Sequence, residues 1–177
     1  MRSWRKFILA FALYVALVLD GSLALFLHQF MTYGDAACLI MPIGMMLIAL
    51  FDDLNGKEIW LALGAGIVAD VYFFGIVGVY TVILPVVTWL LQKSARFLPE
   101  VFWARLLAVL VGVMIVCVYN WIILSVVGII AVPLKTMLFS LLPTLAWSFI
   151  FVILSYSIWG RLARNHPFMI NLDNYQH

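Results

Sequence analysis

The chain has 177 residues, of which 67% are hydrophobic and only 10% charged, with a mean hydropathy of +1.15. Soluble domains carry about a quarter charged residues, so a water-soluble core could not hide this much apolar surface; the composition is that of an all-α, polytopic membrane protein. The formal charge of +2 is too small to argue for a nucleic-acid partner, and no basic run is interleaved with aromatics as in a nucleic-acid groove.

A spanning helix needs about 20 apolar residues. The opening stretch, MRSWRKFILAFALYVALVLDGSLA, imitates a signal peptide, with a basic start, an apolar core and the small residues Ser22 and Ala24 where cleavage would fall. Because further apolar segments follow, it is expected to be an uncleaved first helix over residues 7–27. A break from His28 to Asp35 leads to a short second helix over 36–51, which the polar run Asp52 to Glu58 ends. Residues 59–92 would measure about 51 Å as one helix, too long for a bilayer. Gly75 and Gly78 bracket a turn, so this piece is expected to fold back as two arms, 59–74 and 78–92. The fifth helix covers 102–126. The run Gly128 to Lys135, in which Pro133 cannot continue a helix, separates it from a sixth over 136–159, with 160–177 left as a cytoplasmic tail. No linker or low-complexity stretch divides the chain, so residues 1–177 form one integral membrane domain.

Charge placement favours six spans, because Lys and Arg near span ends collect on the cytoplasmic side. Six spans put Arg2, Arg5, Lys6, Lys57, Lys93, Arg96, Arg105, Arg161 and Arg164 inside and only Lys135 outside, whereas one span over 59–92 would divide the basic residues evenly. Both termini then lie in the cytoplasm, and Tyr33, Gly78 and Val132 approach the outside. Trp4, Trp60, Trp89, Trp103 and Trp159 fall at the inner boundary and Tyr33 and Tyr80 near the outer one, while Trp121 and Trp147 lie deeper.

Asp70 is the most informative residue, roughly 16 Å into its helix, where a carboxylate costs a few kcal/mol. Ala62, Gly66 and Asp70 recur at i, i+4 and i+8, so small residues and the acid share a stripe on which two helix backbones could approach closely. Two readings stay open: a partner or ligand contact, or an internal hydrogen bond or N-cap supporting the turn before Gly75. Gly75 and Gly78 suit a tight reversal that needs positive φ or close backbone approach. On the structural reading, Gly78→Val is expected to obstruct the turn while Asp70→Asn leaves folding nearly intact. Asp20, followed by Gly21 and Ser22, reads as the point where the first helix nears the outer surface. Ser140, Thr144 and Ser148 form another polar stripe beside a kink at Pro143, and these hydroxyls, like Asn120, read as contacts within the bundle.

Catalytic templates fail in turn. There is no GxSxG, HExxH or GxxxxGK[ST], and no second membrane carboxylate at a spacing from Asp70 that suggests an aspartyl dyad. His28, His166 and His177 lie at or beyond helix ends without metal spacing, and Cys38 and Cys117 stand alone as small buried hydrophobes. Neither an enzyme activity, a cofactor nor a metal is expected.

The block LALGAGIVADVYFFGIVGVYTVILPVVTWLL, Leu61 to Leu91, resembles the signature of the bacterial rod shape-determining protein MreD family. In that family a glycine-containing helix runs into an acid, an aromatic pair, a G-x-x-G-x-Y turn and a second helix with a proline. The elements here are Gly64 and Gly66, Asp70, Tyr72 and Phe73, Gly75, Gly78, Tyr80 and Pro85. The resemblance implies a non-enzymatic scaffold of the cell-wall elongation complex in the cell membrane, binding MreC through membrane helices. It would work beside MreB, RodA and a class B penicillin-binding protein to help control cell shape and peptidoglycan synthesis. Self-association is left open. The family is also similar in fold to the substrate-binding S-components of energy-coupling-factor vitamin transporters, which gives the alternative of a transporter subunit. Ala12 and Ala16 form an AxxxA resembling the patch by which S-components dock their coupling partner.

Overall fold

A computed structural model of the chain describes residues 7–30, 37–52, 55–99, 101–166 and 168. These residues form six helices: α1 (Ile8–Phe30), α2 (Ile40–Phe51), α3 (Glu58–Phe73), α4 (Tyr80–Ala95), α5 (Phe102–Val126) and α6 (Leu134–Asn165). Of these, α5 and α6 are by length and composition apolar enough to cross a membrane. Arg2, Trp4, Arg5, Lys6, Tyr33, Asp35, His177 and the side chain of His28 lie outside the described residues.

The shortest helix, α2, is the centre of the bundle. Its sequence IMPIGMMLIALF has no polar face, and a helix apolar all round belongs in a core. Every residue from Met41 to Leu50 is buried, and α1, α4, α5 and α6 pack around this rod. Gly44 and Gly112 let neighbours close in: a β-carbon at Gly44 would collide with the Trp159 ring, and one at Gly112 would lie 2.9 Å from the Met46 sulfur. The remaining helix, α3, packs against α4 and α1.

Some boundaries differ from those expected, each for a local reason. The start of α2 moves from 36 to Ile40 because its first amides are held by a side chain of α1. Helix α4 begins at Tyr80 because Gly78, at φ +132°, is not helical. Helix α6 passes through Pro143 and runs beyond 159 to Asn165, since Gly160 and Ala163 still face the interior. Trp159 faces the bundle: it is 5% exposed and seated in the notch of Gly44.

Candidate functional site

Helix α4 starts without a cap of its own. Val79 stands at its N-cap position and makes no side-chain bond, so the first amides need acceptors from elsewhere. Asp70 supplies them from α3. Its Oδ1 accepts the Tyr80 amide at 2.6 Å, and its Oδ2 accepts the amides of Gly78 at 2.7 Å and Thr81 at 3.0 Å and the Thr81 hydroxyl at 2.7 Å. The side chain is fully buried, and four donors hold it in place. The backbone carbonyl of Asp70 accepts from Phe74 and Gly75 in addition, so one residue ends α3 and begins α4.

The other expected residues gather around it. Gly75 at φ +66° and Gly78 at φ +132° adopt backbone conformations that disfavour side chains. One turn before the acid, a β-carbon on Gly66 would lie 2.6 Å from the Tyr80 carbonyl and 2.7 Å from the Thr81 Cα, so α3 and α4 meet backbone to backbone. Ala62, 0% exposed, continues the buried side of α3. The Tyr80 ring stacks on Phe74, with centroids 6.0 Å apart, and is itself buried. Gly64, also within the family-like block, faces open space.

A second acid repeats the device, and the sequence reading missed it. Asp20 of α1 is 1% exposed, and its two oxygens accept the amides of Ile40 at 2.6 Å and Met41 at 2.8 Å, the first residues of α2. Asp20 is therefore a buried cap on the central helix. The available signal was negative: Leu39 and Val79 precede α2 and α4 where Ser, Thr, Asp or Asn would normally stand, and each helix is preceded by a single acid in an apolar run.

The remaining polar residues are joined elsewhere. Thr144 accepts the Ala37 amide at 3.1 Å and donates to the Ser140 carbonyl at 2.8 Å, which ties α6 to the segment before α2. Trp121 donates to the Val132 carbonyl in the α5–α6 connection, so its indole N–H reaches the chain reversal instead of lying deep. Ala16 is 4% exposed, which places half of the AxxxA pair in the bundle's own core. At the opposite end from the two acid caps, Gln92 of α4 donates to the Asn55 carbonyl and to Glu58, and Asn55 donates to the Phe168 carbonyl, drawing the chain after α6 beneath the α2–α3 connection.

The chemistry of this arrangement is positioning. Both oxygens of Asp70 are committed to amides and a hydroxyl of its own hairpin, and no three His, Cys, Asp or Glu side chains converge to hold a metal among the described residues. No curated protein and no solved structure matches the chain. The family model described as rod shape-determining protein MreD matches residues 1–164, and the chain therefore belongs to the MreD family, whose role is in the determination of rod shape.

Proposed function

We propose that this chain is a non-enzymatic scaffold of the cell-wall elongation complex that crosses the cell membrane six times with both termini in the cytoplasm. It binds MreC through helix contacts within the membrane and works beside MreB, RodA and a class B penicillin-binding protein in guiding peptidoglycan synthesis. The observation that carries this reading is the internal closure of the α3–α4 hairpin. Asp70 holds the amides of Gly78 and Tyr80, Gly66 lets α3 close on α4, Ala62 is buried and the Gly78 carbonyl accepts from Tyr119 of α5, while what the hairpin turns outward is apolar: Val68, Val71, Tyr72, Val82 and Val86 are all exposed. A partner meeting that surface meets hydrocarbon side chains, which suits a spanning helix better than a soluble domain. The topology draws support from the basic residues, since among the described residues Lys57, Lys93, Arg96, Arg105, Arg161 and Arg164 belong to the helix ends joined through Gln92 and Phe51, and only Lys135 belongs to the other end.

The transporter-subunit alternative gains no support, because the matching family is a shape-determining one. Affinity purification from a mild detergent separates the two: the scaffold reading expects MreC to come along, and co-purification of an energising ATPase module in its place would overturn it. Full-affinity binding by the soluble extracytoplasmic part of MreC alone would overturn the membrane-helix contact. For topology, an impermeant thiol reagent should label cysteines placed at 78 and 132 from outside but not those at 57 and 96. Outside labelling at 57 rejects the orientation.

A further inference from the structure

Phe51 closes α2 in a notch of α6, against Gly160, where a β-carbon would come 2.9 Å from the ring, and against Tyr156, whose ring centroid is 5.0 Å away. Two cations from different helices converge on this one ring. The Arg105 guanidinium of α5 lies 4.8 Å from its centroid and the Arg164 guanidinium of α6 lies 5.4 Å from it. Neither has a carboxylate partner among the described residues. A cation on an exposed aromatic gains only about 0.5–1 kcal/mol, and two guanidiniums at one ring repel each other. Arg105 also stands in the opening turn of α5, the positive end of the helix dipole, with no acidic residue in that turn. An anion between the arginines would reverse all of these unfavourable terms.

We propose that Arg105 and Arg164, which both lie against the Phe51 ring, bind the phosphate of an anionic phospholipid headgroup. A guanidinium presents a planar fork of donors that matches phosphate oxygens, and basic pockets between membrane helices are suited to such headgroups. The surroundings favour lipid over free phosphate. Leu154, Ile158, Arg161 and Arg164 follow one another at helical spacing along the exposed side of α6, so a headgroup at the arginines would lay its acyl chains over Ile158 and Leu154, 60% and 67% exposed. On the α5 side Trp103, 65% exposed and packed edge-on against Phe102, is the kind of ring that lies at headgroup depth. This proposal requires the chain to lie in a membrane but does not depend on MreC binding.

The test uses the full chain in a zwitterionic detergent, titrated separately with phosphatidylglycerol, phosphatidylcholine and inorganic phosphate while the thermal unfolding midpoint is followed. Phosphatidylglycerol is expected to raise the midpoint saturably and the other two are not. The double variant Arg105→Gln, Arg164→Gln should weaken that response at least about tenfold, taking roughly 1 kcal/mol for each basic residue. Arg105→Lys, Arg164→Lys, which keeps the charge without the fork, should fall between. Arg96→Gln should respond as the wild type does and controls for general charge. Equal responses to phosphatidylglycerol and phosphatidylcholine, or an undiminished response in the glutamine variant, would overturn the proposal. So would inorganic phosphate reproducing the whole effect, since the ligand would then be a free anion.

Discussion

The α1–α2 and α3–α4 hairpins solve the same problem with different thoroughness. In each, a buried aspartate on the first helix accepts the opening amides of the second, which has no cap of its own. Asp20 receives two amides, with the Cys38 thiol beside it, and reaches Ile40 across 20 residues, while Asp70 receives three amides and a hydroxyl and reaches Tyr80 across only 10. The tighter hairpin adds the close approach at Gly66 and positive φ at both turn glycines. A buried acid in an apolar helix is thus no sign of chemistry in itself; the number of donors it receives measures how firmly it holds the next helix.

Breaking the tighter cap should have the largest effect. All four groups facing the Asp70 carboxylate are donors, so Asp70→Asn is not the mild change it seemed from sequence: it replaces one acceptor with an amide that points hydrogens at hydrogens. A loss of about 3 kcal/mol is expected in denaturant unfolding from mixed micelles. A cost no greater than that of Asp20→Asn would remove the distinction between the hairpins. Gly66→Ala and Gly78→Val attack the same hairpin through shape, the first by driving a β-carbon into α4 backbone and the second by forcing a side chain to φ +132°. Each should cost about 2 kcal/mol and lower membrane abundance. Combined with Asp70→Asn, Gly78→Val should cost less than the sum, because both disrupt one turn; strict additivity would show two independent devices. Asp20→Asn loses a cap with two donors, and about 1.5 kcal/mol should disappear from the same unfolding measurement. Gly64→Ala is the smallest change and has the opposite sign. With open space around it, alanine should gain about 0.5 kcal/mol of helix propensity, and a measurable loss would mean that a partner or neighbour occupies that space in the measured sample.

The helix count and the tighter turn were legible in sequence because both are local. Hydropathy marks the helices, and Asp70, Gly75, Gly78 and the amides the acid serves all lie within one stretch ending at Thr81. The acceptor role of Asp20 was not legible, because its donors lie beyond a loop whose path periodicity does not specify. The seating of Trp159 was not legible either, because only the three-dimensional register brings Gly44 opposite it. The central, buried place of α2 was not legible, because it depends on contacts with four other helices. The convergence of Arg105 and Arg164 on Phe51 is tertiary throughout, joining residues far apart in the chain.

Both acids precede, in chain order, the helices they cap, and this direction has a consequence for synthesis. A ribosome delivers Asp20 before Ile40 and Asp70 before Tyr80, so each carboxylate is already present when the amides that need it emerge. Each hairpin can close on itself without waiting for downstream chain, and the 10-residue closure of the second has the smaller entropic cost. The converse is a window of exposure: between the emergence of Asp70 and that of Tyr80 the acid has no partner from α4. A nascent chain halted in that window presents a bare carboxylate to the insertion machinery, and one released just after it presents a hairpin whose acid is already satisfied.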